Sequence, residues 1–86
     1  MIKVKILLKE DIVSRKAFEL IEQLQKVQSD IFIIKDERSF NGKSLVGILN
    51  NNLRYNTTIL IKMQEENYQD FLKVKEIFKN YGREVE

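Results

Sequence analysis

The segment Asn41-Gly42-Lys43-Ser44-Leu45-Val46-Gly47-Ile48-Leu49 decides how this chain is read. A polar turn delivers the backbone to Ser44, and the residues after it are mostly apolar. Ser44 has the place and chemistry of a helix N-cap, whose hydroxyl accepts a bond from an otherwise unpaired amide of the first turn. A serine at a helix start has a second use. The free N–H groups and partial positive charge there favour an added phosphate, and Lys43 supplies a neighbouring cation.

Upstream, Ile2, Val4, Ile6 and Leu8 alternate with Lys3, Lys5, Leu7 and Lys9, the period of a strand with one buried face. Ser14 is placed to cap a helix running to about Val27, with Ala17, Leu20, Ile21, Leu24 and Val27 as its apolar stripe and Phe18 widening it. Residues 31–35 are β-branched and aromatic and read as a second strand. Asp36-Glu37 then form a turn into a short third strand over 38–41.

Downstream of the opening segment, Asn50-Asn51-Asn52 end the second helix, because Asn tolerates the left-handed conformation. Residues 57–63 make another strand. Asn67 caps a third helix to about Tyr81, with Tyr68, Phe71, Leu72, Lys75, Ile77 and Phe78 at helical spacing, Val74 and Tyr81 widening the stripe, and the aromatics read as core. Glu65 and Glu66 near its start and Lys73, Lys75 and Lys79 farther on suit the macrodipole. Gly82 fits the position just past its end. The expectation is a single α+β domain over 1–86, a four-stranded antiparallel sheet covered on one face by three helices.

Composition removes several chemistries. The 86 residues contain no histidine and no cysteine, so imidazole catalysis, disulfides and the usual zinc sites are excluded, and no cofactor or metal is expected. A net charge of +2, with the basic residues dispersed along the chain, gives no evident basic stripe for nucleic acid. No stretch has the length of a membrane span or a signal peptide, so a cytoplasmic location is expected. Gly42-Lys43-Ser44 matches the tail of a phosphate-binding P-loop, but Glu37 stands where its leading glycine belongs, and a carboxylate there repels phosphate. The pairs Asp36/Glu37 and Glu65/Glu66 read as solvated surface. Arg15-Lys16, near the first turn of helix one, could hold an anion.

Two motifs carry a family resemblance. Asp11-Ile12-Val13-Ser14-Arg15-Lys16-Ala17 resembles the Gly-[Ile/Leu]-His-[Ala/Thr]-Arg-Pro-Ala segment of HPr, the phosphocarrier of the bacterial sugar phosphotransferase system. Lys43-Ser44-Leu45-Val46-Gly47-Ile48-Leu49 resembles its Lys-Ser-[Ile/Leu]-x-Gly-[Val/Ile]-[Met/Leu] segment. Spacing and element order agree over nearly the whole chain. The first motif is degraded. The family's phosphoryl-accepting histidine falls on Val13, its glycine on Asp11 and its proline on Lys16, while Arg15 is retained.

The resemblance is therefore to a His-less, Crh-like member of the HPr family. It implies the family's fold, an open-faced β-sandwich. It also implies that the protein is no enzyme and no phosphate relay, but a regulator acting through phosphorylation of Ser44 and docking on helix two. The partners implied are the HPr kinase/phosphorylase and a catabolite-control repressor. By the same resemblance Leu45, Val46 and Leu49 form the docking patch with Ile48 turned to the core, and Arg15, Lys16 and Lys43 lie near it. The alternative is an unphosphorylated interaction module, or a dimer that exchanges its first strand. The chain is then a monomer or homodimer, with no direct role for nucleic acid or membrane.

Overall fold

The computed structural model describes residues 2–64 and 67–86. Its elements run β1 (Ile2–Leu8), α1 (Arg15–Leu24), β2 (Phe32–Lys35), β3 (Arg38–Asn41), α2 (Leu45–Asn50), β4 (Thr58–Met63), α3 (Tyr68–Phe78) and β5 (Gly82–Val85). The strands form one antiparallel sheet in the order β3-β2-β4-β1-β5. The expected four strands are thus five. The segment after α3, read as a helix stop at Gly82, instead pairs with β1 from Lys5↔Val85 to Leu8↔Gly82.

Alternation does the sorting. Val4, Ile6 and Leu8 of β1, Ile59, Ile61 and Met63 of β4, and Ile33 of β2 are buried on the helix side. They meet Ala17, Leu20, Ile21 and Leu24 of α1, Ile48 of α2, and Phe71, Val74 and Phe78 of α3. At about 25 cal/mol per Å² of apolar surface removed from water, this one core is the main source of stability. α1 touches both α2 and α3. Phe18, Tyr68 and Leu72, expected in the core stripes, lie outside it and are exposed.

Helices one and three stop earlier than expected, at Leu24 and Phe78. Asn67 caps α3 as its sequence suggests, its side chain accepting from the Asp70 N–H at 3.0 Å. The expected acidic contribution of Glu65 and Glu66 lies outside the described residues. Ser14 does not act as a side-chain cap. It sits at φ 49°, ψ −124°, and the Lys16 N–H bonds the Val13 carbonyl at 3.0 Å. Those are the marks of a type II′ turn with serine at the position that favours glycine.

Asp36 and Glu37 both have positive φ, 50° and 67°. A two-residue hairpin loop whose backbone follows the twist of its strands demands this of both residues, and neither is Gly or Asn. Glu37→Gly is expected to raise stability by about 1 kcal/mol, or roughly 4–8 °C in a thermal melt, since it relieves a left-handed conformation.

One buried polar contact ties α3 to the loop after α1. Both the Ser29 hydroxyl and its N–H donate to Asp70 Oδ2, at 2.6 and 3.2 Å. The Ser29 hydroxyl bond holds the Asp70 carboxyl below its ordinary value, with smaller help from the Ser29 N–H, Lys73 and Lys43 and against the cost of desolvation. A carboxylate with a lowered folded pKa stabilises the protein above its unfolded pKa, and that contribution disappears as pH falls through the folded value. Urea midpoints are expected to decline below about pH 4 more steeply for the parent than for Asp70→Asn, which starts lower and varies less.

Candidate functional site

The residues singled out in the sequence lie at the starts of α1 and α2. Six residues are too few for a free helix, so α2 depends on its surroundings. The Ser44 hydroxyl accepts from the Gly47 N–H at 3.0 Å, the N-cap expected from sequence. Asn51 Nδ2 donates to the Gly47 carbonyl at 2.7 Å, and Asn52 takes a left-handed φ of 51° that ends the helix. The Lys35 ammonium donates to the Asn51 carbonyl at 2.9 Å, placing a cation at the negative end of the helix. A Cβ on Gly47 would stand 3.0 Å from the Phe40 ring, so glycine lets α2 lie close against β3.

The faces of α2 are sharply divided. Ile48 is fully buried, whereas Val46 and Leu49 are 67% and 42% exposed. Leu45, expected in the exposed patch, is half-buried and packs on the core. Phe18 on α1 is 61% exposed and adds an apolar side chain that sequence reasoning assigned to the interior. The signal for its exposure was present. Ala17, Leu20, Ile21 and Leu24 already complete a helical stripe, and Phe18 falls at its edge.

The loop before α1 forms an open depression of about 630 Å³ lined by Asp11, Val13, Ser14, Arg15, Lys16 and Glu19. Val13 is half-buried there and offers only hydrocarbon. The Asp11 carboxylate accepts from the Tyr55 N–H at 2.7 Å, so it clamps two loops together rather than standing free. The Lys16 ammonium pairs with Glu10. This hydrogen bond raises the Lys16 pKa, opposed by desolvation and assisted by the charges of Glu10, Glu19 and Asp11. Lys16 is thereby partly neutralised as an anion ligand. Arg15 is exposed and makes no ion pair among the described residues.

Lys43 is also committed. Its ammonium donates to the Val27 carbonyl, and its N–H donates to Asn41 Oδ1 at 2.8 Å. The side chain next to Ser44 thus reaches across to the segment after α1. Among the described residues no group of His, Cys, Asp or Glu is arranged to hold a metal. No helix among them is long and apolar enough to cross a membrane.

Comparison with known proteins agrees with this architecture. The family model described as "PTS HPr component phosphorylation site" matches residues 2–79. The HPr-like protein Crh of Bacillus subtilis (strain 168) is 28% identical over 71 residues, covering 83% of this chain and 84% of Crh. A crystal structure of HPr-C-His from Thermoanaerobacter tengcongensis superposes with a TM-score of 0.82 at 19% identity, covering 93% of each chain. A mycoplasma histidine-containing phosphocarrier protein gives 0.78 at 23% identity, covering 92% of this chain and 93% of its own. These two structural likenesses bear on the fold. Proteins of the family are phosphocarriers rather than enzymes, and they act through other proteins of the phosphotransferase system. With the family model matched from β1 through the end of α3, this chain belongs to the HPr family of the phosphotransferase system.

Proposed function

We propose that this protein is a regulatory member of the HPr family, acting in the cytoplasm through phosphorylation of Ser44 and protein docking on α2, and not a phosphate relay. The observation that carries the reading is the contrast between the two motifs. Val13 falls where the resemblance puts the phosphoryl-accepting histidine, and a hydrocarbon has no lone pair to attack phosphorus. Ser44 keeps its hydroxyl, at the start of a helix that shows Val46 and Leu49 to solvent. In the proposed step the γ-phosphoryl group of ATP is transferred to Ser44 Oγ, the hydroxyl proton passes to the kinase's base, and ADP leaves. A phosphoserine beside an apolar patch changes local charge by about −2 and alters which partner the patch accepts. The partners of this reading are an HPr kinase/phosphorylase and a catabolite-control repressor, with Arg15 at the rim of the surface.

A second reading is favoured by one observation. The Ser44 hydroxyl is already engaged as a cap, and Lys43 is turned toward Val27, so the serine also has a purely structural use. In that case α2 docks partners without modification. Repressor binding measured with and without prior ATP and kinase separates the two. The regulatory reading predicts binding only after phosphorylation, lost in Ser44→Ala and in Leu49→Asp. Binding that is indifferent to ATP and to Ser44→Ala but lost in Leu49→Asp would establish the second reading.

A further inference from the structure

The helices cover one face of the sheet, and the other face is not the plain polar surface that an open antiparallel sheet usually shows to water. On it, Phe32 and Ile34 of β2, Leu60 of β4, Leu7 of β1 and Val85 of β5 are each half-buried. The register joins them. Ile34 stands opposite Leu60, Leu60 opposite Lys5, and Lys5 opposite Val85, while Leu7 lies diagonally from Leu60. Diagonal neighbours of this kind are about 7–8 Å apart, so the apolar side chains form a band across four strands.

Among the described residues of the strands, the charges on this face have one sign. Lys3, Lys5, Lys62 and Arg83 all project from it, and Lys3 stands opposite Lys62. Opposed like charges are unfavourable in a strand pair. Glu84 is the one acidic residue in the five strands, and it faces the other way, pairing with Lys75 of α3 at 3.0 Å. Residues scattered from 3 to 83 are gathered by the register into a basic, half-apolar surface. No such basic face is evident from the order of residues along the chain.

We propose that this open face is a docking surface for an acidic amphipathic helix of a partner protein. Charge complementarity calls for carboxylates against the four cations, and the apolar band calls for a matching aliphatic stripe. The dimensions agree. From β2 to β5 is three strand spacings, roughly 14 Å, the length of about 10 helical residues. Such a helix would complete a second layer on the sheet. Single-stranded nucleic acid fits less well, because among the described residues Phe32 is the one aromatic ring on the face, and base stacking needs a platform of several. A bilayer fits less well because the apolar residues of this face are half-buried, and none is among the exposed large hydrophobics that insertion would use.

The test is an NMR titration of the labelled protein with an acetylated helical peptide of about 14 residues, with Leu along one stripe and Glu elsewhere. The expected amide shifts centre on Lys5, Leu7, Ile34, Leu60 and Lys62, and leave Val46 and Leu49 unmoved. Affinity should fall about tenfold or more in Lys5→Glu/Lys62→Glu, and likewise in Lys3→Glu/Arg83→Glu, both checked for folding by circular dichroism. A peptide with Lys in place of Glu should not bind. Absence of shifts, shifts confined to α1 and α2, or charge-reversed variants that bind equally well would overturn the proposal. So would oligothymidylate or phosphatidylglycerol vesicles engaging this face when the peptide does not.

Discussion

Ile48→Ala is expected to cost about 2–5 kcal/mol of folding stability, read as a lowered urea midpoint with an unchanged slope. Ile48 is the one residue of α2 that is fully buried, and truncation removes its apolar transfer energy and leaves a cavity beneath the helix. What remains is Leu45 at the margin of the core, the Ser44 cap and the Lys35 contact, each contributing about 1 kcal/mol or less. A six-residue helix cannot persist on those terms, so its amides should also lose protection from hydrogen exchange before the sheet does. Val46→Ala, on the exposed face of the same helix, should change stability by no more than about 0.5 kcal/mol. Equal costs at the two positions would mean that α2 is not anchored as described. The docking proposed for α2 rests on the same division, because Val46 and Leu49 share one exposed face only while Ile48 holds the helix down.

Gly82→Val is expected to destabilise the protein by about 1–3 kcal/mol and to release β5. A Cβ at this position would stand 2.3 Å from the Leu7 carbonyl oxygen, and that atom belongs to the backbone of a central strand and cannot swing aside. Gly82 has no positive φ, so its requirement is for space and not for a left-handed backbone. Rapid exchange of the amides of residues 82–85, with slow exchange retained in β4, would show that the strand had left β1. Unchanged exchange and stability in Gly82→Val would contradict the close approach. The same pairing bears on strand exchange between copies. β1 lies between β4 and β5, so a partner strand reaches its outer edge only after β5 is displaced.

Much of this architecture is legible in local sequence because its causes are local. The alternation in β1, the Asp36-Glu37 hairpin, the Ser44 and Asn67 caps and the left-handed stop after α2 each depend on a few adjacent residues. β5 was not legible for the opposite reason. Arg83, Glu84 and Val85 carry no strand pattern of their own, and their extended form is imposed by the free edge of β1 about 75 positions away. Ser14 resembles a cap because serine usually is one, but a turn formed by Val13 and Lys16 decides its backbone.

At the candidate site the sequence supplies residue types without their engagements. Asp11, Lys16 and Lys43 read as free charges near the two helix starts. Their partners are Tyr55, Glu10 and Val27, separated from them by 44, 6 and 16 positions. Only the fold makes those contacts, and of Arg15, Lys16 and Lys43 they leave Arg15 with neither an ion pair nor a side-chain hydrogen bond among the described residues. The basic sheet face has the same origin. Its four cations are dispersed in sequence and share a surface because strand alternation and register put them there.

The most direct test of the regulatory reading is intact mass after exposure to two phosphoryl donors in parallel. One sample holds the protein with phosphoenolpyruvate and Enzyme I of the phosphotransferase system, the other holds it with ATP and an HPr kinase. Each includes a histidine-containing HPr as a positive control. The account predicts no change from phosphoenolpyruvate, and from ATP a single acid-stable phosphoryl group that is absent in Ser44→Ala. A phosphoryl group gained from phosphoenolpyruvate would contradict it, and so would an unmodified protein in the ATP sample beside a modified control.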